Sequence, residues 1–70
     1  MSGLDFAATA EKGQGGHVWE AVAGDGAVWR LVPWKYSDRR GWRIVRDGAV
    51  VGSRATKSEA AEEASAMAGG

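Results

Sequence analysis

Cysteine is absent from this 70-residue chain, and histidine, proline, tyrosine and phenylalanine occur once each. Without cysteine there is no disulfide, no thiolate metal site and no Cys–His nucleophile. With His17 alone, no histidine cluster can hold a metal, and a Ser–His pair would need His17 to meet Ser37, Ser53, Ser58 or Ser65 with no motif to bring them together. His17 reads instead as an ordinary residue at the start of a strand. The glycine-rich stretches "GQGG" and "GDG" lack the strand–loop–helix setting and the Lys-Ser/Thr of a phosphate loop. The expectation is a protein that is not an enzyme, with no catalytic residue, no metal and no cofactor. Long apolar runs are missing too. Nothing approaches the roughly 20 residues of a membrane-spanning helix. The opening "MSGLDFAATA" has no basic region ahead of its apolar residues, so it does not read as a signal peptide. A cytoplasmic location, away from membranes, is expected.

What is present is tryptophan: Trp19, Trp29, Trp34 and Trp42. A chain this short buries only about 60% of its unfolded surface, and stability of roughly 3–5 kcal/mol is the expectation. Tryptophan supplies much buried area from few residues, which suits a miniature core. Charge is balanced overall but segregated along the chain. Residues 30–57 carry Arg30, Lys35, Arg39, Arg40, Arg43, Arg46, Arg54 and Lys57 against Asp38 and Asp47, a local balance of +6. The remaining residues hold Lys12 against seven carboxylates, a balance of −6. A basic middle of this kind points to an anionic partner, or to neutralisation between the two parts within the fold.

Residues 1–16 end in "KGQGG", a flexible joint, and read as a loose arm or short helix that Leu4 and Phe6 anchor. Residues 17–68 read as one sheet-plus-helix domain. "HVWEAVA" and "AVWRLV" flank "GDG", a hairpin signal. A three-residue loop with Gly26 in the left-handed region pairs Ala23 with Ala27, Glu20 with Arg30, Trp19 with Leu31 and Val18 with Val32. Pro33 cannot donate to a ladder. If strand alternation survives it, Trp34 and Tyr36 share a face with Arg30; a bulge there would reverse them. Ser37 to Gly41 reads as a connector between hairpins. In "WRIVRDGAVVGSR", Asp47-Gly48 is a type I′ turn signal. That turn pairs Arg46 with Ala49, Val45 with Val50, Ile44 with Val51 and Arg43 with Gly52. Trp42, Ile44 and Val51 then form the core face, and Arg43, Val45, Val50 and Arg54 the opposite one.

Thr56 and Glu59 have capping-box spacing. Ala60, Ala61, Ala64, Met67 and Ala68 follow on one helical stripe, with Glu59, Glu62 and Glu63 facing water. The predicted fold is α+β: an antiparallel sheet of about four strands, in two hairpins, with one C-terminal helix packed on one face. The other face is open and gathers Arg30, Arg43 and Arg54 among valines, with Trp34 and Tyr36 if parity holds and Lys35, Arg39 and Arg40 in the adjoining loop. Cations attract phosphates and exposed rings stack on bases. Arg30, Trp34, Lys35, Tyr36, Arg39, Arg40, Arg43 and Arg54 are therefore the candidate contacts of a module that binds DNA or RNA. The alternative is a protein-interaction module, a homodimer or a phage or host regulator, docking through the same face with arginines at the rim.

The stretch "GWRIVRDGAVVGSRATKSEAAEEA", residues 41–64, resembles the arm-type N-terminal DNA-binding domains of phage tyrosine integrases, and small bacterial and phage domains of the same strand–strand–helix build. That resemblance implies a three-stranded sheet placed in a DNA groove, with Arg30, Arg43 and Arg54 towards DNA; with no catalytic domain read after this stretch, a free-standing binder is the expectation. Double-stranded-RNA-binding domains also end in strands and a Lys- and Ala-rich helix. Here "TKSEAAEEA" keeps Lys57 but sets Glu59, Glu62 and Glu63 where basic residues would serve phosphate binding. The alanine, glycine and Arg-over-Lys usage is that of a high-GC bacterium, such as an actinobacterium, or its phage.

Overall fold

Turn chemistry sets the path of the chain. Asp47 and Gly48 both take positive φ, 50° and 88°, as a type I′ turn requires. Gly26 has φ 89°, and the Ala23 and Ala27 backbones bond across their loop at 2.9 Å. Both turns lie where the sequence places them. The computed structural model describes residues 3–69. Its elements run β1 (Ala7–Gly13), β2 (Gly16–Val22), β3 (Val28–Tyr36), β4 (Arg39–Arg46), β5 (Ala49–Arg54) and α1 (Lys57–Gly69). The strands form one antiparallel meander in the order β1-β2-β3-β4-β5.

The α+β class with a C-terminal helix matches the expectation, and the strand count is five instead of about four. The difference has two sources. The supposed arm contains β1, whose exposed "AATAEKG" pairs with β2. The supposed connector Ser37–Gly41 is a tight turn at Ser37-Asp38 followed by the first residues of β4, with Tyr36 opposite Arg39. β3 passes through Pro33 without a bulge: Pro33 opposes Trp42, and the register with β4 is continuous from Trp29 to Tyr36. The missing amide costs the sheet little, because the β2–β3 partners end at Trp19 and Leu31, before the proline.

One face packs on the helix. Trp29, Leu31, Ile44, Ala27, Ala60 and Ala64 form its buried centre, with Leu4, Phe6, Trp19, Ala23, Trp42 and Ala61 packed around them. Ala60 and Ala64 allow close approach of the helix, and the tryptophans supply the volume that alanine lacks. Met67 and Ala68, assigned to the same stripe, are exposed. The helix begins as its capping signal predicts: Thr56 Oγ1 accepts from the Glu59 amide at 3.2 Å, and the Ala60 amide bonds the Thr56 carbonyl. The Lys57 ammonium lies 3.9 Å from the Trp19 ring centroid. At the other end of α1, Ser65 Oγ accepts from the Leu4 amide at 2.9 Å, tying down the segment before β1. No helix among the described residues is long and apolar enough to cross a membrane.

Both edge strands carry bulges. On β1, Ala8 opposes Trp19 and Lys12 opposes His17, so three residues span the single Val18. Thr9 Oγ1 bridges this bulge, donating to the Val18 carbonyl at 2.8 Å and accepting from the Glu11 amide. On β5, Val45 opposes Val50 but Ile44 opposes Gly52, so Val51 is the extra residue. The pairing of Ile44 with Val51 and of Arg43 with Gly52 is therefore corrected. Gly52 faces Ile44, Ser53 faces Arg43, and Val51 is exposed.

These placements predict a sharp contrast in urea titrations followed by tryptophan fluorescence. Ile44→Ala should cost about 2–5 kcal/mol, enough to unfold most of a domain of this size. Thr56→Ala should cost about 1 kcal/mol, and Val51→Ala less than about 0.5 kcal/mol. An effect of Val51→Ala equal to that of Ile44→Ala would contradict the bulge.

Candidate nucleic-acid interface

Strand alternation now decides where each candidate side chain lies. Leu31 and Ile44 point to the helix, so Arg30, Val32, Trp34 and Tyr36 of β3 point to the open face, as do Arg39, Arg43 and Val45 of β4. Trp34 and Tyr36 thus lie on the Arg30 side. Lys35 and Arg40, paired with each other in register, point the opposite way. Arg54 also lies on the helix side, opposite Trp42, where its guanidinium meets Glu63 of α1 at 2.8 Å. Its assignment to the open face fails because the Val51 bulge shifts the parity of the strand by one. Glu63, expected to face water, is half-buried in this pair.

The open face divides into three zones. At its centre, Arg30 is already engaged: Glu20 opposes it across the ladder, and its Nη2 bonds and pairs with Glu11, which the β1 bulge brings over the sheet. Its Nε is buried without a partner. At the end bearing the Gly24–Gly26 and Asp47-Gly48 turns lie Val22, Val28, Val45 and Val50, with Val22 66% and Val50 62% exposed. At the other end lie Trp34, Tyr36, Arg39 and Arg43, with Tyr36 77% exposed.

Trp34 is not a free ring. Gly41, its cross-strand partner, has no side chain, and the indole occupies that space: a Cβ at residue 41 would lie 2.9 Å from both Cζ2 and Nε1. The Arg43 guanidinium sits over the same ring, 5.8 Å from its centroid. Trp34 is accordingly half-buried. Gly41 went unrecognised in the sequence because its role depends on the Tyr36–Arg39 register, which the connector reading hid.

The ion pairs complete the electrostatic picture. Among the described residues, Arg30 meets Glu11, Arg46 meets Asp25 at 3.6 Å and Arg54 meets Glu63. Lys35, Arg39, Arg40 and Arg43 meet no carboxylate among the described residues, and all four are exposed. The structure brings six of the eight candidate residues (Trp34, Lys35, Tyr36, Arg39, Arg40 and Arg43) to one end of the β3–β4 pair and leaves Arg30 and Arg54 in ion pairs elsewhere. His17 Nδ1 lies 3.0 Å from the Thr9 carbonyl, a contact that spans the β1 bulge.

Comparison with protein-family models, curated proteins and solved structures finds no match. The functional reading therefore rests on this geometry.

The seat of Trp34 is open to test. Gly41→Ala should displace the indole and destabilise the protein by about 1–3 kcal/mol, and should shift the Trp34 indole N–H resonance in a proton–nitrogen correlation spectrum. Unchanged stability and an unchanged Trp34 resonance would mean that the ring does not occupy this space.

Proposed function

We propose that the protein is a non-enzymatic nucleic-acid-binding module whose contact surface is the end of the β3–β4 hairpin. The carrying observation is selective pairing of charge. The arginines elsewhere on the sheet meet carboxylates, whereas Lys35, Arg39, Arg40 and Arg43 share one end with no carboxylate partner among the described residues. Four unpaired cations within one hairpin match a polyphosphate, because each contact releases counterions. Arg30 and Arg54 drop out of the contact set, since engaging a phosphate would first require breaking their ion pairs. Tyr36 borders the cations as an exposed aromatic surface, and Trp34 holds Arg43 in place.

A protein partner is the second reading, and the exposed Val22 and Val50 at the opposite end of the same face favour it. In that reading the valine end buries against a second copy or a regulatory partner. The two readings use different ends of the sheet, so they separate cleanly.

Fluorescence anisotropy with a labelled oligonucleotide at low salt should show binding that weakens steeply as salt rises. Arg39→Gln with Arg40→Gln should weaken it about tenfold, while Arg46→Gln, at the other end of β4, should change it less than about twofold. Absence of binding at low salt, together with a concentration-dependent dimer in sedimentation, would replace the first reading with the second.

A further inference from the structure

The β3–β4 ladder continues past its neighbours. The last β2–β3 partners are Trp19 and Leu31, and the last β4–β5 partners are Trp42 and Arg54. Beyond them, Trp34, Lys35 and Tyr36 pair with Gly41, Arg40 and Arg39 as a two-stranded ribbon, about 10 Å long at the usual rise per residue. The β1–β2 turn reaches this ribbon beside Pro33, where Gly13 and Gly15 approach, and at the Lys35 amide, which donates to Gln14 Oε1 at 3.3 Å. Gly13, Gly15 and Gly16 leave that flank without bulk.

The cations are distributed over both faces of the ribbon. Arg39 and Arg43 lie on the open-sheet face, and Lys35 and Arg40 on the other. A single strand running across one face would use only two of them. Single-strand binding also relies on rings that bases can stack upon, and Trp34 is occupied by Gly41 and Arg43, which leaves Tyr36 as the one freely exposed ring on the ribbon. A duplex groove has a phosphate strand on either side, which matches cations on both faces. The B-form major groove, about 12 Å wide, admits a two-stranded ribbon. The A-form major groove of duplex RNA is too narrow and deep to admit side chains.

Resting on the nucleic-acid reading above, we infer that the ligand is duplex DNA, entered by the Trp34–Gly41 ribbon so that Arg39 and Arg43 reach one phosphate strand and Lys35 and Arg40 the other. Trp34 is a positioning residue that rigidifies the ribbon and holds Arg43.

The test compares a short labelled DNA duplex with each of its single strands and with the matching RNA duplex, in one buffer across a salt series. Heparin serves as a generic polyanion. The DNA duplex should bind at least about tenfold more tightly than either single strand or the RNA duplex, with a log–log salt slope near −3.6 for four phosphate contacts. Lys35→Gln with Arg40→Gln, and separately Arg39→Gln with Arg43→Gln, should each flatten that slope by about 1.8. Tyr36→Ala should lose less affinity than either pair. Thermal melts that match the parent protein keep these comparisons meaningful, and the glutamines retain most of each stem. Equal or tighter binding to single strands or to RNA, a dominant loss in Tyr36→Ala, or an effect confined to one face would overturn duplex entry and leave the broader reading standing. Binding to heparin and to every nucleic acid with equal affinity would also overturn it. Failure to bind any of these polyanions would overturn both.

Discussion

The pairing of Leu31 with Ile44 governs the rest of the structure. Both side chains are fully buried, and Ala60 and Ala64 of the helix belong to the same cluster. In a sheet with period two, a slip of one residue would turn this whole apolar set towards solvent. Its position therefore fixes which residues of β3 and β4 face the helix and which face outward. Trp29 follows inward two residues before Leu31, and Trp42 inward two residues before Ile44. Trp34 and Tyr36 follow outward, at the far end of a strand that Pro33 does not interrupt. The proline is tolerated because the β2–β3 partners end before it, so no ladder donor is lost.

The edges do not obey that parity, and their departures redistribute charge. The central strands are held by burial on the helix side, whereas β1 and β5 have one free edge each and accommodate extra residues there. The bulge at Val51 turns Arg54 to the helix, where Glu63 receives it. The bulge between Ala8 and Lys12 brings Glu11 over the sheet to Arg30. Exposed pairs of this kind contribute at most about 1 kcal/mol each. Their larger effect is on the pattern of unpaired charge. Two arginines that a regular sheet would leave on the open face are neutralised, and four of the cations without a carboxylate partner among the described residues, Lys35, Arg39, Arg40 and Arg43, are left together at the β3–β4 end.

This division between centre and edge explains what could be read from the sequence. The "GDG" loop, the Asp47-Gly48 turn and the Thr56 cap are local chemistry, carried by residues within a few positions of one another. The registers Glu20–Arg30 and Val45–Val50 followed from those turns and are observed. β1 was illegible because "AATAEKG" contains only Thr9 among β-branched and aromatic residues; its strand conformation comes from the free edge of β2, a tertiary effect. The Val51 bulge was illegible because Val-Val-Gly pairs acceptably in either register, and only the helix packing and the Glu63 carboxylate distinguish them. Ser37–Gly41 looked like a loop because its residues are turn formers and cations. Their strand state is imposed by β3 continuing beyond the core.

That last feature bears most on the proposed role. A loop carrying Arg39 and Arg40 would lose conformational freedom on meeting a ligand, and that loss subtracts from affinity. The backbone of the ribbon has already lost it. Its strands are hydrogen-bonded, Trp34 fills the space above Gly41, and the indole holds the Arg43 guanidinium at a set height over the sheet. In the proposed role, the tryptophan that resembles a stacking platform in the sequence serves as a support for Arg43, filling the space at Gly41, and not as a stacking ring. The contact surface in that role consists of cations projecting from a fixed backbone on two faces, and it would select a ligand by how the ligand's own charges are spaced.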